Sequence, residues 1–187
     1  MDLATTPSQT VGPYLHLGLT DAHSFSRIAG DGAEGEKLWL TFRVLDGDGV
    51  PVPDAMIELW QADSQGNYPS QEPSEDDTAF RGFGRLPTGE DGSCTFETVR
   101  PGCVPGPGET LQAPHINVSI LGRGILKRLS TRVYFAEEPA NATDPVLALV
   151  PEKRRSTLLS RPDPAGTGNW IFNAHLRGEG ETVFFDV

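Results

Sequence analysis

Hydrophobic and polar residues alternate along several short segments of the chain. In segment 38–45 every second residue from Leu38 to Val44 is apolar, while Thr41 and Arg43 lie between them. A period of two is typical of a β-strand with one buried face. Similar segments, bounded by turns that contain glycine or proline, predict further strands at 55–60, 94–99, 115–121, 129–135, 169–176 and 181–185.

One segment favours a helix. Pro151 begins segment 151–159, Glu152 follows in its first turn, and Leu158 and Leu159 lie on one side. Two long, proline-containing stretches, 67–85 and 100–114, separate the predicted strands. The pattern predicts an all-β fold, an antiparallel β-sandwich with long loops and one short helix, in a single domain that spans 1–187.

The composition agrees with a β-rich fold and excludes some classes of function. The 21 glycines and 16 prolines are spread along the whole chain and would destabilise a helical bundle. With 15 basic and 26 acidic residues, the net charge of −11 provides no basic face for nucleic acid. Because no apolar run could span a bilayer and residues 1–10 do not resemble a signal peptide, we expect a cytoplasmic protein without membrane attachment. In that reducing compartment Cys94 and Cys103 are expected to be free thiols.

One histidine stands out as a candidate for chemistry. His115 lies at the start of a predicted strand, and Asn117, two residues later, faces the same side. Two such residues could bind one metal ion, but the neutral amide of asparagine is a poor ligand for a transition metal. On these residues alone, His115 is interpreted as a hydrogen-bonded core histidine.

A series of motifs carries the most specific signal in the chain. In order they are 7–14 (PSQTVGPY), 57–63 (IELWQAD), 66–68 (GNY), 83–85 (FGR), 99–102 (VRPG), 113–119 (APHINVS) and 178–186 (GEGETVFFD). Together they resemble the intradiol ring-cleaving dioxygenases, from about residue 6 to the C-terminus. The resemblance implies an enzyme that uses O2 and non-haem Fe(III) to open the ring of protocatechuate (3,4-dihydroxybenzoate), giving 3-carboxy-cis,cis-muconate.

The resemblance also implies an incomplete iron site. In the family, two tyrosinates and two histidines bind the iron, and Tyr68 and His115 match one of each. Val104 and Asn117 stand at the other two ligand positions, and Gln112 stands where the iron-bearing chain carries an arginine. Because Val104 has no donor atom, we expect these five residues to be a vestigial metal site, with no metal and no catalytic residue in this chain alone.

The same resemblance implies a partner. An iron-free chain of this kind pairs with an iron-bearing beta chain, on which the Fe(III) is expected, and its extended N-terminal segment 1–36 contacts that partner. The substrate-binding positions that carry over are Thr10, Gly12, Pro13 and Arg123. An arginine suits this role because it can hold the carboxylate of the substrate through two parallel hydrogen bonds, within a chain that otherwise repels anions.

Two other readings stay open. A self-standing dioxygenase would need a substitute ligand such as Tyr14 or Tyr134, and a β-sandwich carrier or interaction module would have no activity. The motif at residues 6–14 favours the subunit, since stability alone does not require such a loop sequence. For the vestigial site, we expect Tyr68 and His115 to form a buried hydrogen-bonded pair that fixes the loop 67–85.

Overall fold

The computed structural model describes residues 5–20, 24–69 and 80–186 of the chain. Within these ranges it contains ten strands and one short α-helix. They are β1 (Lys37–Leu45), β2 (Met56–Gln61), β3 (Phe83–Pro87), β4 (Ser93–Val99), β5 (Val104–Pro105), β6 (Leu111–Gln112), β7 (His115–Leu121), β8 (Leu129–Phe135), α1 (Glu152–Arg155), β9 (Leu159–Pro162) and β10 (Asn169–His175). Single turns of π-helix at His16–Thr20 and of 3-10 helix at Pro139–Thr143, Leu147–Leu149 and Ser156–Leu158 complete the regular structure.

Eight strands form one sheet that folds back on itself into two layers. Their order is β3-β2-β7-β8-β9-β10-β1-β4, and the end strands β3 and β4 lie against each other. Strand β9 joins the layers, because its first residues pair with β8 and its last residues pair with β10. The short strands β5 and β6 pair separately.

The core lies between the layers. Leu38, Leu40, Phe42 and Val44 of β1 are all fully buried, which confirms the alternation that predicted this strand. The ring of Phe42 packs edge-on against the rings of Phe96 in β4 and Phe172 in β10, with centroid distances of 5.9 and 5.5 Å. Burying a phenylalanine side chain contributes about 1.5–3 kcal/mol, so these three rings are a main source of stability.

The all-β prediction is confirmed, and six of the predicted strands agree with observed strands to within one residue at either end. The sheet is not purely antiparallel, because β1 pairs with β10 and β8 pairs with β9 in parallel. Parallel neighbours need a long connection, and both pairs join segments that are far apart in sequence.

Two predicted elements are wrong in extent or type. The segment predicted as a strand at 181–185 makes a single β-bridge, from Phe185 to Ser130. In addition, the hydroxyl of Thr131 donates a hydrogen bond to the carbonyl oxygen of Val183 at 2.7 Å. The predicted helix at 151–159 is too long, since a 3-10 turn follows α1 and β9 begins at Leu159. Strands β5 and β6 and the first three residues of β3 lie in stretches predicted as long loops, 100–114 and 67–85; residues 70–79 of the latter lie outside the described residues.

The two cysteines are free thiols, as predicted. Cys94 is buried in the core, where loss of solvation raises the pKa of its thiol to about 12, whereas Cys103 is exposed. Over the described ranges, no helix is both long and apolar enough to cross a bilayer.

Candidate functional site

The predicted site residues form two groups at opposite ends of β7. The ligand-position cluster, at the start of the strand, consists of Tyr68, Val104, Gln112, His115 and Asn117. The N-terminal cluster, at the other end, consists of Thr10, Gly12, Pro13 and Arg123. A strand rises about 3.3 Å per residue, so the length of β7 separates the two groups by roughly 20 Å.

Two glycine-containing loops carry Tyr68 and Val104. Gly66 has a φ of +87°, and a Cβ atom there would lie 2.0 Å from the carbonyl oxygen of Cys103. A Cβ atom on Gly102 would likewise lie 2.6 Å from the amide nitrogen of Gly66. Only glycine at both positions lets the two backbones pack directly together, which explains why the motifs GNY and RPG occur in the same chain.

Tyr68 pairs with Asn117 and not with His115. The hydroxyl of Tyr68 accepts a hydrogen bond from the Asn117 amide at 3.3 Å, and its ring stacks on Trp60 with centroids 5.8 Å apart. Tyr68 is also 39% exposed. The prediction of a buried Tyr68–His115 pair is therefore wrong, because stacking on the outer face of β2 holds the phenol near the exposed asparagine amide.

His115 is a buried, neutral histidine. Its Nδ1 lies 2.8 Å from the carbonyl oxygen of Ala113, which fixes the proton on that nitrogen. Burial, together with the positive charge of Arg132, lowers the pKa of the imidazole to about 4. The interpretation from sequence, a hydrogen-bonded core histidine, agrees with this environment.

Gln112 is tied to a residue that the sequence did not single out. Its side-chain oxygen accepts a hydrogen bond from Arg132 at 2.7 Å, and its amide nitrogen donates to the carbonyl of Pro105 at 2.9 Å. Arg132 pairs in register with Asn117 on the neighbouring strand. A permanent positive charge therefore lies beside the ligand-position cluster.

Neither tyrosine proposed as a substitute ligand is suited to the task. Tyr134 is fully buried, and its hydroxyl donates to Asp144 at 3.1 Å. Burial raises the pKa of this phenol to about 12, whereas a ferric ligand must be the tyrosinate. Tyr14 is 82% exposed and belongs to the N-terminal segment, which lies near Gly124 at the opposite end of β7 from the ligand-position cluster.

The ligand-position cluster does not fit Fe(III). Val104 is apolar, the Asn117 amide is neutral and bonded to Tyr68, and the guanidinium of Arg132 disfavours a trivalent cation. Within residues 5–20, 24–69 and 80–186, no three His, Cys, Asp or Glu side chains are grouped so that they could hold a metal ion.

The N-terminal cluster brings together residues that are distant in sequence. The hydroxyl of Thr10 accepts a hydrogen bond from the amide of Gly124 at 2.7 Å, so the N-terminal segment lies against the turn that carries Arg123. The side chain of Arg123 is 72% exposed and donates to Asp54 at 2.7 Å. This end of the molecule thus presents a fixed backbone and an accessible guanidinium.

Gly12 and Pro13 begin the turn that leads into the π-helix. Their carbonyl oxygens accept hydrogen bonds from the amides of Leu15 and His16 at 3.1 and 3.2 Å, and both residues are exposed. The structure therefore places Thr10, Gly12 and Pro13 on one continuous, accessible edge beside Arg123.

Sequence reasoning missed three charged residues: Arg132, Asp144 and Asp54. Asp144-Pro145 and Pro53-Asp54 are turn signals, which could have marked both acids as turn residues. No local pattern could have paired Asp54 with Arg123 or Arg132 with Gln112, because these contacts join separate segments of the chain.

Comparisons with known proteins agree with the geometry. A family model described as "Dioxygenase" matches residues 11–178. The chain is 44% identical to the protocatechuate 3,4-dioxygenase alpha chain of Burkholderia cepacia, over 99% of this chain and 98% of that one. It is 38% identical to the beta chain of the same enzyme from Burkholderia cepacia, over 68% of this chain and 56% of that one.

A solved structure is also similar to this chain in fold and sequence. The dioxygenase domain of a dioxygenase carbohydrate-binding protein fusion from Streptomyces sp. SirexAA-E is similar at a TM-score of 0.63 and 28% identity. The similarity covers 92% of this chain and 99% of that domain. With its β-sandwich, its ordered motifs and these similarities, the chain belongs to the intradiol dioxygenase family.

Proposed function

We propose that this chain is the iron-free alpha-type subunit of a heteromeric intradiol dioxygenase that cleaves protocatechuate with O2 to 3-carboxy-cis,cis-muconate. Both oxygen atoms of O2 enter the product, so no further reductant is needed. The chain pairs with an iron-bearing beta chain and completes the substrate pocket of that partner. The observation that carries the proposal is the 44% identity, over nearly the full length of both chains, to an alpha chain of protocatechuate 3,4-dioxygenase.

The chemistry of the ligand-position cluster supports the placement of iron on the partner. Intradiol dioxygenases use Fe(III), and this chain has an apolar residue and a neutral amide, Val104 and Asn117, at two of the four ligand positions. In this proposal Tyr68, Gln112 and His115 are structural remnants of the site, and catalysis takes place on the beta chain.

The N-terminal cluster supports a contact with the partner. Tyr14, Leu17 and Leu126 are 82%, 62% and 61% exposed, and each lies within seven residues of Thr10 or Gly124 along the chain. Large apolar side chains grouped near one exposed edge mark an interaction surface. The segment 1–36 then lies against the beta chain, with Thr10, Gly12, Pro13 and Arg123 at the mouth of its active site.

The substrate is a carboxylate, and the chain carries a net charge of −11. Long-range repulsion of an anion makes a local cation necessary near the pocket, and Arg123 is an accessible one. We also propose that the enzyme is cytoplasmic and binds neither nucleic acid nor membrane.

O2 uptake with protocatechuate tests the proposal. The chain is expressed alone, and again together with a beta chain such as that of Burkholderia cepacia or a closer cognate. We expect copurification and O2 uptake only for the pair. Activity of the isolated chain would favour a self-standing dioxygenase, and failure of a cognate beta chain to bind would favour a carrier or interaction module.

A further inference from the structure

Asp54 lies on a turn whose backbone is held rigidly. Its φ is +69°, a left-handed conformation that few residues other than glycine, asparagine and aspartate adopt readily. The buried hydroxyl of Thr88 accepts a hydrogen bond from the amide of Ala55 at 2.9 Å and donates to the carbonyl of Val52 at 2.9 Å. The carboxylate of Asp54 is therefore presented from a fixed point of the fold.

This carboxylate lies close to Arg123 and also to His16 of the N-terminal segment. One oxygen lies 2.7 Å from a terminal nitrogen of Arg123, and the other lies 3.4 Å from Nε2 of His16. His16 Nε2 is a buried atom without a hydrogen-bond partner among the described residues, and the Asp54 carboxylate faces it. Together with the bond between Thr10 and Gly124, Asp54 gives the N-terminal segment a second attachment to the region of Arg123.

We propose that Asp54 is a positioning residue that holds the guanidinium of Arg123 ready for the carboxylate of the substrate. The inference rests on the proposed function and adds to it a residue that acts through Arg123. A guanidinium has five N–H donors in a planar fork. Since Asp54 engages one nitrogen, another edge of the fork stays open for a carboxylate.

A positioning residue is useful here because the side chain of Arg123 is largely exposed. A side chain that is 72% exposed samples many rotamers, and ordering it on binding costs conformational entropy. Holding the guanidinium in place before the substrate arrives reduces that cost. The benefit appears in substrate binding, and only for substrates that carry a carboxylate.

The test is the variant Asp54→Asn in the assembled enzyme. Asparagine also tolerates the left-handed backbone, so the substitution removes the charge with little strain. We expect KM for protocatechuate to rise about twofold to fivefold, because an exposed ion pair contributes modestly. The kcat for protocatechuate and both constants for catechol should not change. In an Arg123→Ala background, Asp54→Asn should have no further effect on KM.

Glu181→Gln is the matched control, since Glu181 has the same 43% side-chain exposure and lies 3.9 Å from Arg154. It should leave both substrates unaffected. An unchanged or lowered KM for protocatechuate in Asp54→Asn, an equal change for catechol, or loss of assembly would overturn the inference. An inactive wild-type pair would overturn the proposed function together with this inference. An active pair whose KM does not respond to Asp54→Asn would overturn this inference alone.

Discussion

Arg123 is the residue on which substrate selectivity depends in this proposal. Its guanidinium is accessible and lies beside the edge formed by Thr10, Gly12 and Pro13. In the assembled enzyme, Arg123→Ala should raise KM for protocatechuate at least tenfold while leaving that for catechol nearly unchanged, because charge-assisted bidentate hydrogen bonds are among the strongest. Arg123→Lys should recover only part of the loss, since a lysine lacks the planar fork.

Steady-state kinetics with both substrates measure this difference. Arg161→Ala is a suitable control because it removes another exposed arginine, from β9, outside the N-terminal cluster. Equal losses on protocatechuate and catechol in Arg123→Ala would show that Arg123 does not bind the carboxylate.

His115 predicts a pH dependence of stability. Its pKa falls from 6.5 to about 4 on folding, so protonation in this range favours the unfolded chain. This contribution to the free energy of unfolding is complete above pH 6.5 and is lost as the pH falls towards 4, with about 2 kcal/mol lost at pH 5. Urea unfolding at pH 7 and pH 5 should show a smaller pH effect in His115→Gln than in the wild type.

His175→Gln, on β10, is the control for this measurement, because His175 is only partly buried. It should retain the pH dependence of the wild type. Identical pH dependence in His115→Gln and the wild type would contradict a buried neutral imidazole at position 115.

At the scale of elements, Asp144 anchors the segment between β8 and α1. Its buried carboxylate accepts hydrogen bonds from the amides of Ala113, Val146 and Leu147 and from the hydroxyl of Tyr134. Asp144→Ala leaves these buried donors without an acceptor and should lower the free energy of unfolding by about 3 kcal/mol. Asp163→Ala, in an exposed turn, should cost much less, and equal losses in urea unfolding would argue against this anchoring role.

The N-terminal segment is the element that should reach the partner. Removing residues 1–13 deletes the bond between Thr10 and Gly124, so we expect weaker assembly with the beta chain and a higher KM for protocatechuate. Size-exclusion chromatography and kinetics measure both effects. A control that lacks only residues 1–4 keeps Thr10, Gly12 and Pro13, and it should behave as the full chain; unchanged kinetics without residues 1–13 would contradict the role of this segment.

Local patterns predicted the elements well where a strand has one buried face. The alternation of β1, from Leu38 to Val44, is visible in the sequence, whereas β3 contains Gly84 and ends at Pro87, which obscure it. The start of strand β9 was predicted as the end of the helix, because Leu158 and Leu159 are compatible with either structure. The segment 181–185 alternates like a strand, but side-chain hydrogen bonds and one bridge hold it instead.

At the scale of the whole molecule, long-range contacts set the limit of prediction. The parallel pairing of β1 with β10 and the meeting of Thr10 with Gly124 join distant segments, and no local pattern encodes them. The site positions came from the resemblance to a family. Their environments came only from the structure, as the pairing of Tyr68 with Asn117 and the arginine beside Gln112 show.

The proposed function divides the work of the enzyme between two similar chains. In the proposed account, this chain keeps the fold, the N-terminal cluster and an accessible arginine, while Val104 and Asn117 stand at two positions where Fe(III) would need donor atoms. A pair of chains can then place the metal on one subunit and part of the substrate pocket on the other.

The most direct test of this division is the iron content and visible absorbance of the isolated chain, the isolated beta chain and their complex. Tyrosinate bound to Fe(III) gives a red-brown colour, so one spectrum reports both the metal and its ligand. We predict a colourless, iron-free isolated chain and a coloured complex with about one iron for each pair of chains. Iron and colour bound stoichiometrically to the isolated chain would contradict the proposal.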